Sequence, residues 1–392
     1  MITLITNVGQ LVTPEGRGAA FGSGMSELRI DEGVNILLRD GCIESIGLSK
    51  RPMEVDETID AKGNVVLPGL IDPHRHFGAP PVSAGEAAPH TSLLAQNGSR
   101  GGSARDERLL LRGLCRAVAS GTTSLEVKCG ADGGDAGGVE LLNLVMRTAR
   151  SVPVHVSLTL FEGRPHVQRK ARDDRISAVI TEIIPAVRRL RLARFCDVVC
   201  GEDGYTTQEA EAILRAARGA GLRPKVHGLG RQPDEAALLG AELGAASVDH
   251  MASCGRRAIA VLRKSGTVCV LLPGTTFLLD QAYPKARDMI DAGLAVALGT
   301  DYGLAGYGVE SMWVCIAMAS ARMGMSLEEG IVASTLNAAA ALDLADETGS
   351  VERGKRGDLV ILDVEDYRDI EGSIGHDPVR MTLVGGRVVY GT

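Results

Sequence analysis

Between residues 64 and 349, short runs of apolar and β-branched residues alternate with longer stretches whose apolar positions recur at helical spacing. The first pattern is that of a strand and the second that of an amphipathic helix. Eight runs read as strands: "NVVLPGLID", "TTSLEVK", "VPVHVSLTLF", "FCDVVCG", "RPKVHG", "ASVDHM", "GTVCVLLPG" and "LAVALGTD". Between them, "DERLLLRGLCRAVASG", "TQEAEAILRAARGAG" and "DEAALLGAELGA" read as helices, each ending at or near a glycine, as helix C-termini commonly do. Eight strands alternating with helices predict an α/β fold, a (β/α)8 TIM barrel over residues 64–349, ahead of an open doubly wound sheet.

The two ends carry a different rhythm. Residues 1–63 and 350–392 consist of short alternating runs such as "NILLRDGCIESIG", "GDLVILDVED" and "MTLVGGRVVYG", broken by turn signals. They predict one composite β-sandwich domain built from both termini beside the barrel. Residues 83–106 are rich in Gly, Ser and Ala, have no period and follow the first barrel strand. A long loop there reads as a lid or as an unstructured connection.

Composition narrows the function classes. The chain has 392 residues, 45% of them hydrophobic, which is enough for a large core. A net charge of −7 disfavours nucleic acid or an anionic membrane as the main partner. No apolar run reaches membrane-spanning length, and the N-terminus lacks a basic stretch followed by an apolar segment. The eight cysteines are scattered, with no CxxC pair, and read as reduced thiols of a cytoplasmic protein. A small-molecule substrate and a homo-oligomer, a dimer, are the expected partners.

The candidate chemistry lies where the strands end, the rim on which barrel enzymes place their catalytic residues. In "LPGLIDPHRHFG", His74 and His76 are one residue apart, so on a strand both imidazoles point to one side. "KVHG" adds His227, "VDH" adds His250 and "GTD" adds Asp301. Each histidine alone reads as a buried hydrogen-bonded residue. Four of the chain's eight histidines plus an aspartate on one rim instead predict a metal site. Three His and one Asp suit one divalent ion, zinc foremost, with iron or manganese as alternatives. Such an ion brings the pKa of a bound water to about 7, making hydroxide available. Arg164 and His166 in "FEGRPH", Tyr205 in "EDGYT" and Tyr302 beside Asp301 are candidates to contact a substrate, as are Arg100 and Arg105 in the loop. Each reads equally well as a solvated surface residue.

The HxH after "PGLIDPH", the later single histidines, "GTD" and the closing "GSVERGKRGDLVILD" together resemble the amidohydrolase superfamily. Within it, "GTTSLEVKCG", "FCDVVCGEDGYTTQEAEAILRAARGAGLRPKVH", "GAELGAASVDHM" and "GTVCVLLPG" are similar to segments of the imidazolonepropionase family, over nearly the whole chain. The resemblance implies a mononuclear metal held by His74, His76, His227 and Asp301. It places His250 beside the metal-bound water, with His250 and Asp301 as the catalytic pair. Lys128 matches a lysine of the family's second strand and is expected at the substrate; the alternatives are a metal bridge, which in two-metal relatives is a carbamylated lysine from a different strand, and a buried ion pair with Glu126 or a neighbour.

The departures concern the substrate. Gly230 in "HGLG" stands where the family has a side chain that contacts the substrate ring. Ala131 replaces a substrate-holding tyrosine, and "FGAPPVSAGE" replaces an arginine-bearing stretch. The implied reaction is opening of a cyclic amide C–N bond in a small imidazolone- or hydantoin-like ring by metal-bound hydroxide. The alternatives are an aromatic deaminase of the same superfamily, against which Gly230 argues, and a non-catalytic barrel scaffold.

Overall fold

The computed structural model describes residues 1–47, 54–77, 103–130, 137–163, 169–201, 204–229, 233–303, 308–371 and 375–391. Strands from both termini form one mixed sheet: β1 (Ile2–Thr13), β2 (Arg29–Arg39), β3 (Cys42–Gly47), β4 (Glu57–Asp60), β5 (Val65–Pro68), and, from the far end, β16 (Leu359–Leu362), β17 (Val379–Val384) and β18 (Arg387–Tyr390). Their order is β18-β17-β16-β5-β1-β2-β3, with β4 also on β1. The sandwich expected from the alternating runs is thus one continuous hydrogen-bonded sheet. Its inward positions, among them Ile5, Leu11, Ile36, Ile43, Ile59, Val66, Ile361 and Leu383, meet in a single core. The β2–β3 turn is the "RDG" signal: Asp40 and Gly41 both have positive φ, as a two-residue hairpin turn requires.

The barrel strands are β6 (Leu70–Asp72) with β7 (Arg75–Phe77), β8 (Thr122–Cys129), β9 (His155–Glu162), β10 (Phe195–Gly201), β11 (Arg223–Leu229), β12 (Ser247–Asp249), β13 (Val268–Leu271), and β14 (Val296–Leu298) with β15 (Tyr302–Gly303). Each of β8 to β14 pairs in parallel with its neighbour, and β15 pairs in parallel with β7, closing the ring. Helices such as Ala104–Ala119, Thr207–Gly219 and Arg256–Ser265 connect them on the outside. Ser103 and Thr206 cap the first two of these with reciprocal side-chain bonds to Asp106 and Glu209. Gly266, at φ 74°, ends the third in the left-handed conformation.

The run "NVVLPGLID" contains two strands rather than one. Its first half pairs with β1 and β16, and its second half enters the barrel. Gly69 is the pivot. A Cβ there would sit 2.2 Å from the Thr123 side chain, so no larger residue fits the crossing.

Alternation along the barrel strands separates two environments. Leu125, Val127, Val198, Val226 and Val248 face outward into the helix-covered core. Ile71, Phe195, Val268, Val270 and Ala297 pack with the helix Leu336–Ala341 in a second cluster. The intervening positions Glu126, Lys128, Asp197, Lys225, His227, Ser247 and Asp249 are polar, fully or nearly fully buried, and face one another inside the ring. A water-poor interior tolerates such charges when they are paired, and that pairing organises the site.

Candidate active site

The site begins at Asp72. Its Oδ1 accepts hydrogen bonds from the backbone N–H of His74 (3.3 Å) and Thr300 (3.1 Å), and its Oδ2 accepts one from Thr300 Oγ1 (2.6 Å) and one from Arg75 Nε. Asp301 N–H donates to the carbonyl of His74 at 3.0 Å. One buried carboxylate therefore ties the end of the first barrel strand to the end of the last, bringing His74, His76 and Asp301 together.

The five rim residues converge. His74 Nε2 lies 3.1 Å from His76 Nε2, and these atoms lie 3.5 and 3.4 Å from Asp301 Oδ1. His250 Nε2 is 3.7 Å from Asp301 Oδ2. The His227 and His250 rings are 4.2 Å apart between centroids, and His74 is 5.1 Å from His227. His74, His227 and His250 form one group whose ligand atoms all lie within 4.8 Å of one another, and His74, His76 and Asp301 form another. His250 and Asp301 have φ of 61° and 54°. Two non-glycine residues in the left-handed region at strand ends are a costly backbone choice, of the kind that gathers at functional sites.

The donor set fits a cation. Nε2 of His227 and Nε2 of His250 are buried with no hydrogen-bond partner among the described residues. Nitrogens on a tetrahedral ion with bonds of about 2.0–2.1 Å sit roughly 3.4 Å apart, close to the His74–His76 separation. Burial, then the nearby Lys128 and then His76, hold His74 neutral well below the ordinary histidine pKa. Burial and neighbouring histidines do the same for His76 and His250, and a neutral imidazole is the form that ligates. Burial pushes the Asp301 carboxyl up to about 6, opposed by a hydrogen bond from Thr275 Oγ1 at 2.5 Å. A cation beside Asp301 would favour its ionised form.

A charged layer supports the mouth from inside the barrel. His74 Nδ1 faces Asp249 Oδ2 at 2.6 Å, and His227 Nδ1 faces Asp197 Oδ2 at 3.3 Å. Lys128 Nζ donates to the same two oxygens at 2.8 Å (Asp197) and 2.9 Å (Asp249), and lies 3.2 Å from Glu126 Oε2. Lys225 Nζ donates to Glu126 Oε2 at 2.7 Å, and Ser247 Oγ donates to Asp249 Oδ1 at 2.6 Å. Burial raises the Asp249 carboxyl, but Lys128 and Lys225 outweigh it and hold the group well below the usual carboxylate range. Burial likewise opposes the Lys128 charge, but Asp197, Asp249 and Glu126 outweigh it and hold the ammonium well above the usual lysine value.

Several expected substrate contacts lie elsewhere. Lys128, one of the candidates, is enclosed by three carboxylates at 1% exposure, in the buried ion pairing that was one of its alternative readings. Tyr302 follows Asp301 but turns to the other side of the strand. Its hydroxyl accepts a bond from Arg116 Nη2 at 2.7 Å, and Arg75 lies over its ring at 5.7 Å. Tyr205 is buried in the helix-covered core with Arg172 over its ring at 5.8 Å. Arg105 is exposed in the first turn of the helix Ala104–Ala119. Arg100, Ala131, Arg164, His166 and Gly230 lie outside the described residues, as does most of the 83–106 loop.

Sequence reasoning assigned nothing to Asp249, Asp197, Lys225 or Thr275. For the first three a signal existed: a charged residue inside a short apolar strand run, for Asp249 and Lys225 at even spacing from Ser247 and His227. Phe161, with its ring 4.9 Å from His76 and 5.3 Å from His227, is an apolar wall of the mouth that had no signal at all.

The profile of the amidohydrolase family matches residues 65–389. An imidazolonepropionase from Bacteroides fragilis (strain YCH46) is 36% identical over 409 residues, covering 96% of this chain and 96% of its own. One from Solibacter usitatus is 35% identical over 416 residues, covering 98% of each. One from Thermoanaerobacter pseudethanolicus is 33% identical over 393 residues, covering 95% and 94%. Among solved structures, an atrazine chlorohydrolase of Arthrobacter aurescens complexed with zinc and atraton aligns with a TM-score of 0.76 at 17% identity, covering 99% of this chain and 95% of its own. An ochratoxinase from A. niger aligns with a TM-score of 0.72 at 18% identity, covering 100% and 96%. These last two bear on the fold alone. With the family profile and the full-length relatives in agreement with the barrel, the chain belongs to the amidohydrolase family and is an imidazolonepropionase-like hydrolase.

Proposed function

We propose that this hydrolase opens the cyclic amide C–N bond of a small imidazolone- or hydantoin-like ring, with one divalent ion held by His74, His76, His227 and Asp301. The observation that carries the reading is the convergence of these four side chains and His250 on one mouth, with two imidazole nitrogens buried and unpartnered among the described residues. The relatives' shared name, imidazolonepropionase, favours this ring class. Zinc is the first choice of ion, as in the chlorohydrolase neighbour.

A divalent ion in such a site supplies Lewis acidity, activating water at neutral pH and polarising a carbonyl. The chain's own groups divide the remaining work. Asp301 Oδ2, between Thr275 and His250, is the acceptor for the proton of the attacking water. The same carboxyl returns that proton to the departing ring nitrogen, so the amine leaves neutral. His250, kept neutral by burial, has an N–H to donate to the oxyanion that forms at the ring carbonyl. Phe161 closes one side and limits water around the ring.

The test is hydrolysis of a panel containing imidazolone propionate, hydantoins and thiohydantoin acids, followed by loss of ring absorbance with and without added Zn²⁺. Zinc-dependent turnover of at least one member is expected. Full activity after exhaustive chelation, or no turnover of any cyclic amide by the zinc-loaded protein, would sink the reading.

A further inference from the structure

We infer that Lys128 is a positioning residue: its ammonium is a fixed internal cation that orients two histidines at once, His74 through Asp249 and His227 through Asp197. The inference rests on the metal reading above and adds a role for a group that the reaction itself does not use.

The geometry leads there. The Oδ2 atom of Asp249 meets both His74 Nδ1 and Lys128 Nζ, and the Oδ2 atom of Asp197 meets both His227 Nδ1 and Lys128 Nζ. A single nitrogen on β8 therefore joins carboxylates on β10 and β12, which in turn hold rings on the first and fifth barrel strands. Asp197, His227 and Asp249 place their ligand atoms within 4.8 Å of one another. Two carboxylates that close, both fully buried, repel strongly where water cannot screen them. The ammonium between them removes that repulsion and leaves each Oδ2 aimed at its histidine. With Nδ1–H donating to a carboxylate, each ring turns an unprotonated Nε2 toward the mouth, which is the tautomer a metal ligand needs. Asp249 has its other oxygen taken by Ser247, so its orientation is set from two sides. Without Lys128 the carboxylates would turn apart, and both rings would lose their single acceptor together.

The test uses the full chain labelled with ¹⁵N at histidine. Long-range ¹H–¹⁵N correlation of the metal-free protein reads each ring's tautomer, and Zn²⁺ titration against a competing chelator reads affinity. The wild type is expected to hold His74 and His227 in the Nδ1–H form. Lys128→Met is expected to mix the tautomers of both rings at once and to weaken Zn²⁺ binding by about 10- to 100-fold, the usual cost of losing a ligand's supporting partner. Asp249→Asn should disturb His74 alone, and Asp197→Asn His227 alone. Should Lys128→Met fail to fold, Lys128→Arg keeps the charge but displaces it, and is expected to shift both ring signals together. A folded Lys128 variant that keeps both tautomers, with affinity within about twofold of wild type, overturns the inference, as does one that disturbs a single ring. If the wild type bound no ion, the metal reading would fall instead, while the metal-free tautomers would still decide whether Lys128 links the two rings.

Discussion

His74 Nδ1 and Asp249 Oδ2 lie 2.6 Å apart, although 175 residues separate them in the chain. The bond fixes which nitrogen of His74 carries the proton and which faces the mouth. It also makes Asp249, which has no place on the rim itself, a determinant of the site.

Replacing Asp249 by Asn should therefore weaken zinc binding by about 10- to 100-fold with the barrel still folded. Chelator competition monitored alongside circular dichroism checks this. Unchanged affinity would show that His74 is held by other means.

Loss of His250 should separate binding from turnover. His250→Ala is expected to retain zinc while kcat falls by roughly 10²- to 10⁴-fold, the range for a positioned acid, base or oxyanion donor. Metal content and steady-state kinetics on the best cyclic amide decide it, and near-wild-type turnover would remove His250 from the reaction.

Metal occupancy should register in stability. An ion at about 100 times its dissociation constant stabilises the folded chain by roughly 2.7 kcal/mol if the unfolded chain does not bind it. Thermal melting is thus expected to shift upward with added Zn²⁺ in the wild type, with little or no shift in a His74→Ala/His76→Ala variant. An equal shift in both proteins would place the ion elsewhere.

Tyr302→Phe should leave KM and kcat unchanged, because the hydroxyl bonds Arg116 on the helix-covered side of the barrel. Its cost is about 0.5–1.5 kcal/mol of stability at most, since Arg116 is 44% exposed and can turn to water. A several-fold change in KM would return Tyr302 to the pocket.

Gly69→Ala should be costly out of proportion to one methyl group. The added Cβ would overlap Thr123 at the crossing between the terminal sheet and the barrel, and overpacking of this kind costs about 1–3 kcal/mol. Urea unfolding measures it, and a neutral result would mean the crossing can shift.

The sequence by itself determined what local periodicity can carry. Apolar alternation and helical spacing repeat every few residues, so the eight strand runs, the connecting helices and the turn at Asp40–Gly41 are legible without any long-range contact. The HxH pair is legible for the same reason, since residues two apart on a strand share a side whatever the fold. Tertiary structure decided everything that depends on which strands meet. The run 64–72 carries no mark of passing from one sheet to another, because both halves are equally apolar and only pairing with β1, β16 and β8 distinguishes them. Tyr302 sits next to Asp301 in sequence, yet Asp301 takes a left-handed φ of 54° just before β15, and the Tyr302 hydroxyl meets Arg116 instead of the mouth. Lys128 looked available to a substrate until ring closure placed carboxylates from β10 and β12 around it. A charge in an apolar run signals only that some partner must exist. Which partner it finds, and which histidine that partner then orients, is set by barrel closure, because desolvated charges persist only where the fold brings their counter-charges within hydrogen-bonding distance.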